Sequence, residues 1–243
     1  MKFTYDAYGA LIERLCERNY SFVDYSGASN KDKTVIMRHD IDFSIDKATV
    51  ISSIEREHKV KSVFFVLLTS DFYNVFSKKN CYMLDKILND GNVIGLHFDE
   101  TRYPDYEGDL RAISEKIVEE KKVLERLLGI DVTCFSAHRP SKEFINSDLR
   151  IQGMINSYGR EFFQEYRYLS DSRMAWREPV EDIIDSGEFD KLHILTHSFW
   201  YNKSEENIHD ALINNINDAK KERYLAFSEN IRNITEIIGD DEW

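Results

Sequence analysis

The segment VIMRHDIDFS, residues 35–44, constrains the fold of this chain more than any other. Three apolar residues run into a cluster of Arg38, His39, Asp40 and Asp42, and a helical pattern begins just beyond it. Such a switch is typical of the carboxyl end of a parallel strand in an α/β protein, where ligands gather. Because strand side chains alternate, we expect both carboxylates on one side, as a metal site or a base beside a metal ligand requires. The alternative is that one Asp caps the next helix and the other pairs with the arginine.

Composition favours a single soluble domain. The 243 residues, 42% of them hydrophobic, suffice for one α/β barrel. A formal net charge of −12 argues against a nucleic-acid or anionic-membrane partner. Three widely spaced cysteines without a C-x-x-C pair favour a reducing compartment over a disulfide framework. We find no signal-peptide pattern and no transmembrane stretch, so the sequence predicts a cytoplasmic protein.

Hydrophobic periodicity predicts one α/β domain over residues 1–243 with a mainly parallel sheet. A helical lead-in occupies residues 1–33, and a C-terminal region of about two helices occupies residues 204–243. Strands are predicted at 34–38, 62–68, 92–97 and 132–137, with weaker ones at 154–158, 168–171 and 192–196. Helices are predicted at 6–18, 44–57, 82–89 and 109–128. Open sheet and closed barrel both remain compatible with this pattern.

Several predicted strands end in residues of catalytic type. His97 and Asp99 share one face by alternation, and His138, Asp171 and His197 follow later strands. Each residue alone has an ordinary explanation, such as a satisfied histidine or a helix-capping aspartate. Together they favour a functional site, because the carboxyl face of a parallel barrel brings such strand ends together.

The ordered motifs RHDID, GLHFD, HRP, SDS with a following Trp, and LTH resemble the polysaccharide deacetylase family, the NodB-homology carbohydrate esterases. The resemblance spans roughly residues 34–200. It implies a distorted (β/α) barrel of about seven strands that removes acetyl groups from N-acetylated sugars with a divalent metal. Zinc is the first choice for that metal, with cobalt, manganese and nickel as alternatives.

The resemblance also implies roles for individual residues. Asp40 would be the general base, oriented and kept ionised by Arg139, and His197 would be the general acid, assisted by Asp171. The predicted metal ligands are Asp42, His97 and Asp99. The predicted substrate-binding residues are Trp176, Trp200 and His138.

One position departs from the family pattern. The second metal-binding histidine of the family comes four residues after the first, and here that position is Thr101. Either Asp99 replaces it, or His138 enters the metal sphere, or the metal is lost. Strand alternation favours Asp99. His39, by the same alternation, faces away from Asp40 and is expected to be a structural hydrogen-bonding residue.

The predicted substrate is an acetylated sugar or sugar-linked intermediate of surface-polysaccharide biosynthesis. A second hypothesis, favoured by Thr101, is a barrel that binds carbohydrate without cleaving it. A third is a D-x-D glycosyltransferase, which is disfavoured because fewer than forty residues precede the motif. A homodimer formed through the C-terminal helices is left open.

Overall fold

The computed structural model describes residues 1–27, 32–239 and 242. They form two compact units, Met1–Lys203 and Ser204–Trp243. The first unit contains the sheet, and the second begins at the predicted start of the C-terminal helical region. The strands are β1 (Ser21–Phe22), β2 (Thr34–Ile41), β3 (Val63–Leu67), β4 (Val93–Asp99), β5 (Cys134–His138), β6 (Ile155–Asn156), β7 (Arg167–Ser172), β8 (Ala175–Trp176) and β9 (Lys191–Thr196). The helices are α1 (Tyr5–Glu17), α2 (Ile45–Glu57), α3 (Lys78–Asn89), α4 (Leu110–Leu128), α5 (Lys142–Asn146), α6 (Val180–Ser186), α7 (Ile208–Ser228) and α8 (Ile234–Ile237).

The sheet is almost entirely parallel. Its strand order is β6-β5-β4-β3-β2-β9-β7-β8, and β1 pairs separately with β2. Among the described strands, only the pairing of β7 with β8 is antiparallel. Helices α2, α3 and α4 connect successive parallel strands, as in repeated β-α-β units. This confirms the predicted α/β class. The sheet has nine strands because the two-residue strands β1 and β8 add to the predicted seven.

The sheet curls into a half-barrel, as the resemblance implied. The guanidinium of Arg38 on β2 donates to Ser136 on β5, although β3 and β4 lie between these strands. Three strand spacings on a flat sheet would separate the two strands by about 14 Å. An arginine side chain is too short for that distance, so the contact requires strong curvature.

The two faces of the sheet have separate cores. Outward residues such as Val35 and Met37 join the large cluster with α1 and α2. Inward residues such as Ile36 and Phe65 pack with Phe162, which comes from a π-helical turn at Glu161–Glu165. This inner core fills the barrel beneath the carboxyl ends of the strands.

A glycine on β4 lets the inner core pack this closely. A Cβ atom at Gly95 would lie 2.5 Å from the Phe65 ring and 2.9 Å from the Cys134 sulfur. These distances are too short for any larger residue. Gly95 therefore leaves the space on the inner face of β4 that the Phe65 ring and the Cys134 sulfur occupy.

Helix starts and ends follow local sequence signals. Ser44 caps α2 by accepting a hydrogen bond from the Lys47 amide at 3.3 Å, and Asp109 caps α4. Gly129 ends α4 in the left-handed conformation with φ of 67°. Within the described part of the chain, none of the helices combines the length and the apolar character that a membrane crossing requires.

Candidate metal and catalytic site

Three donor atoms form a small triangle at the carboxyl end of the sheet. Asp42 Oδ1 lies 3.2 Å from His97 Nε2 and 3.3 Å from His138 Nδ1, and the two histidine nitrogens are 3.2 Å apart. Asp42 Oδ1 is buried and has no hydrogen-bond partner among the described residues. A tetrahedral zinc with bonds of 2.0–2.1 Å places its ligand atoms about 3.3–3.4 Å apart. The three side chains therefore fit a divalent ion such as zinc.

Strand geometry produces this triangle. His97 lies near the end of β4, His138 is the last residue of β5, and Asp42 directly follows β2. All three project to the inner side of the curled sheet, since they alternate with residues of the outer core. The neighbouring pairs of β4 and β5 set His97 opposite Ser136, two residues before His138. The parallel strands thus deliver a carboxylate and two imidazoles to one point.

The third donor of this group is His138, and Asp99 is not part of it. Asp99 Oδ1 accepts hydrogen bonds from the Thr101 amide at 3.0 Å and from the Thr101 hydroxyl at 2.8 Å. Its carboxylate therefore caps the short 3₁₀ helix Glu100–Arg102. The group that the structure brings together therefore differs from the predicted ligand set of Asp42, His97 and Asp99. The structure also moves His138 from the predicted substrate-binding residues to the metal group.

Asp40 lies beside the triangle and is held by an arginine of its own strand. Arg38 Nε donates to Asp40 Oδ1 and Nη2 donates to Asp40 Oδ2, both at 2.8 Å, and both side chains are buried. Asp40 Oδ2 is 3.6 Å from His97 Nε2. Burial alone would raise the pKa of Asp40, but the charge and hydrogen bonds of Arg38, together with the charges of His97 and His197, outweigh it and lower the pKa. Asp40 is therefore an ionised carboxylate at neutral pH.

Arg139 does not perform the role expected of it. It is exposed, in the left-handed backbone region with φ of 50°, and its position follows His138 at the end of β5. Arg38 is the residue that orients Asp40. The sequence left two interpretations of the D-x-D motif: a metal or catalytic site, or an ion pair of one Asp with Arg38. Both features occur in the structure, because Arg38 pairs with Asp40 while Asp42 lies in the metal group.

His197 lies next to Asp42 and is supported by Asp171. Its Nδ1 bonds to Asp171 Oδ1 at 2.5 Å, and its backbone amide donates to the same carboxylate at 3.1 Å. Its Nε2 is 3.7 Å from Asp42 Oδ2. Burial would lower the pKa of His197, but the charge and hydrogen bond of Asp171 raise it to about 9. His197 is thus a protonated imidazole held in one orientation.

The charge of the group suits a cation. Burial would raise the pKa of Asp42, but the neighbouring His138 and His97 rings hold it well below its usual range. Asp40 and Asp42 are therefore both ionised within one partly enclosed site. Zinc and other first-row divalent transition metals bind carboxylate oxygens and imidazole nitrogens of this kind.

The predicted aromatic residues are mostly covered by protein. Trp200 is 6% exposed and packs on Phe43, with ring centroids 6.0 Å apart. Trp176 is half-buried and stacks on Phe3 at 6.5 Å. One exposed aromatic ring is Phe72, which is 60% exposed and contacts the Phe43 ring with centroids 4.7 Å apart. Sequence reasoning missed it because it lies in a loop without a regular pattern.

Among solved structures, the chain is similar to the carbohydrate esterase family 4 domain of a multidomain xylanase from the hindgut metagenome of Trinervitermes trinervoides. The TM-score is 0.46 at 15% identity, over 79% of this chain and 85% of that one. It is also similar to a family 4 carbohydrate esterase from Bacillus anthracis, with a TM-score of 0.44 and 16% identity over 86% of this chain and 84% of that one. A further similar structure is a family 4 pseudoenzyme from the same bacterium, with a TM-score of 0.43 and 15% identity over 79% of this chain and 62% of that one.

The chain is similar to family 4 carbohydrate esterases. That family is the one its sequence motifs resemble. No protein-family model and no curated protein matches the chain.

Proposed function

We propose that the chain is a metal-dependent de-N-acetylase of an acetylated amino sugar. The observation that supports this most strongly is the Asp42–His97–His138 triangle, with Asp40 within 3.6 Å of His97 and His197 within 3.7 Å of Asp42. One strand end, that of β2, supplies both carboxylates and the buried arginine, and the ends of β4, β5 and β9 supply one imidazole each. An ion at the triangle would polarise a substrate carbonyl and lower the pKa of a bound water.

Asp40 is the proposed general base. Arg38 keeps it ionised, and the bidentate pair fixes the direction of both oxygens. In the reaction, Asp40 accepts a proton from water as the water oxygen attacks the acetamide carbonyl carbon. The pair also prevents Asp40 from turning toward the metal ligands.

His197 is the proposed general acid. Asp171 accepts from Nδ1, so the proton available for transfer is on Nε2, which faces Asp42. In the reaction, the carbon–nitrogen bond breaks and Nε2 gives its proton to the leaving amine, so that acetate and a free amino sugar result. A pKa of about 9 keeps this proton in place at neutral pH.

The sugar ring would lie against Phe72. Its loop is tied to the strand that carries the site, because Ser70 donates to the Asp42 carbonyl at 3.0 Å and Tyr73 to the Ile41 carbonyl at 2.6 Å. Phe72 is thus an exposed aromatic ring in a loop bonded to the chain segment that carries Asp42, and its ring contacts Phe43. Aromatic rings present a flat apolar surface of the kind that the apolar face of a pyranose contacts.

A non-catalytic barrel is the weaker candidate. Its support was Thr101 in place of a second histidine, and His138 supplies a second imidazole from β5. Participation in surface-polysaccharide biosynthesis, a cytoplasmic location and a homodimer remain predictions.

Acetate release from N-acetylated sugars, with zinc present, tests the proposal. Asp40→Asn should still fold and bind zinc, although with lower stability because Arg38 loses its buried counter-ion, and it should lose at least about a hundredfold in kcat, the usual contribution of a positioned base. Asp46→Asn is the matched control, since Asp46 is an exposed carboxylate paired with Lys79. Full activity in Asp40→Asn, or no acetate from wild-type protein, would contradict the proposal.

A further inference from the structure

A cluster of buried polar side chains lies on the outer face of the sheet, behind the proposed catalytic groups. Its members come from α1, β2, α2, β9 and the start of β3, and each is at most 1% exposed: Tyr8, His39, Glu55, Ser62 and Thr196. The reaction proposed above uses none of them. Burying so many polar groups costs stability unless they bond to one another.

The cluster is fully connected by hydrogen bonds. Glu55 Oε1 accepts from the Tyr8 hydroxyl at 2.7 Å and from His39 Nε2 at 2.9 Å, and Glu55 Oε2 accepts from Ser62 at 2.8 Å. The remaining nitrogen of the ring, His39 Nδ1, bonds to the Thr196 hydroxyl at 2.6 Å. A satisfied buried network of this kind specifies one arrangement of the elements that contribute to it.

The His39–Thr196 bond joins β2 and β9 one residue before the proposed base and the proposed acid. The two residues are register partners at the end of the β2–β9 pairing. The next residue on β2 is Asp40 and the next after β9 is His197, whose side chains point to the opposite face. The bond therefore joins the two strand ends directly behind the proposed base and the proposed acid.

We propose that the His39–Thr196 bond, held by Glu55 and Tyr8, positions Asp40 and His197 relative to each other. This inference rests on the proposed function, and it makes His39 and Thr196 positioning residues without contact to substrate. The metal group takes its donors from β4, β5 and the segment after β2, so β9 contributes none of them. A loosened β2–β9 end should therefore impair the chemical step and spare metal binding.

The chain offers a matched control on the same strand pair. Thr34 begins β2 at the far end of the β2–β9 pairing, is 0% exposed, and shares a hydrogen bond of 3.3 Å with Tyr166. Thr34→Val and Thr196→Val each exchange a buried hydroxyl for a methyl group without a change of shape. Thr196→Ser keeps the hydroxyl and serves as the conservative variant.

The experiment compares these three variants with wild-type protein. Measurements are kcat and KM for acetate release, zinc Kd, Tm, and the exchange rate of the His197 amide, which donates to Asp171. We expect Thr196→Val to lower kcat at least tenfold, with KM and zinc Kd within threefold of wild type, because misplaced catalytic groups slow chemistry more than binding. We expect its His197 amide to exchange faster. Thr34→Val should show a similar fall in Tm with unchanged kcat and His197 exchange, and Thr196→Ser should retain most of the kcat.

Equal kcat and equal His197 exchange in Thr196→Val and Thr34→Val would overturn the positioning inference. Failure of the proposed function gives a different result, namely no acetate release from wild-type protein. In that case the amide exchange still decides whether the bond fixes this strand end, and unchanged exchange in Thr196→Val would overturn it.

Discussion

The buried Arg38–Asp40 pair gives the most quantitative prediction. Arg38→Met removes two charge-assisted bonds of 2.8 Å and leaves a carboxylate that is 4% exposed without its counter-ion. Breaking a buried pair in this way costs about 3–5 kcal/mol, mainly because the remaining charge stays buried. The free energy of unfolding should therefore fall by that amount. The pKa of Asp40 should rise, so acetate release at neutral pH should fall as well.

Urea unfolding followed by near-ultraviolet circular dichroism measures this loss. Arg56→Met is the matched control, because Arg56 is 57% exposed and its partner Asp90 keeps a second contact to Lys86. That variant should lose at most about 1 kcal/mol. Adding Asp40→Asn to Arg38→Met removes the uncompensated charge, so the double variant should be more stable than Arg38→Met alone. A loss below 1 kcal/mol in Arg38→Met, or strictly additive effects, would refute the reasoning.

Three further variants test the acid, the sugar contact and the buried histidine. In His197→Ala, the rate of acetate release from an N-acetyl sugar should fall about a hundredfold or more. The rate with p-nitrophenyl acetate should fall far less, because its leaving group needs no proton. Equal losses with both substrates would argue against an acid role. Phe72→Ala should raise KM several-fold at constant kcat, whereas Phe76→Ala, equally exposed at 60%, should change KM less; identical KM values would argue against stacking on Phe72. Burial, with the Arg38 charge, lowers the pKa of His193 to about 3, so between about pH 6.5 and 3 the unfolded chain binds a proton that the folded chain does not. Stability should fall as the pH falls through that window, by up to about 1.4 kcal/mol per unit, and His193→Gln should show a smaller slope in urea unfolding at several pH values.

The alternation of strand side chains predicted the core of the site. It placed Asp40 with Asp42 on one side and brought His97 and His197 to the same edge, and the structure brings these four together. The alternation also predicted that His39 faces away from the site. In the structure, His39 bonds to Thr196 within the buried polar cluster on the outer face of the sheet. The period of two is visible in the sequence, and the alternation of strands with helices predicts parallel pairing.

The choice between Asp99 and His138 could not be made within one strand. It depends on the register of β4 against β5 and on the local cap that Asp99 forms with Thr101. The Asp-x-Thr pattern favours such a cap, but the sequence alone gives no reason to prefer a capping role for Asp99 over a metal-ligand role. Similarly, Arg38 rather than Arg139 reaches Asp40 because a bidentate contact forms between residues two apart on one strand.

The smallest elements were also beyond prediction from sequence. Strand β8 has two residues, and the turn at Glu161–Glu165 has a π-helical hydrogen-bond pattern. Neither is long enough to show a period. Yet this turn contributes Phe162 to the inner core, so tertiary packing rather than local propensity holds it in place.

Zinc titration by calorimetry is the most direct test of the metal group. We predict that wild-type protein binds one zinc ion per chain and that Asp42→Asn, His97→Gln and His138→Gln each lose it. Asp99→Asn, which can still accept the capping bonds from Thr101, should bind zinc as wild-type protein does. Absence of stoichiometric zinc in wild-type protein, or loss of zinc in Asp99→Asn with retention in His138→Gln, would contradict the assignment of Asp42, His97 and His138 as the ligands.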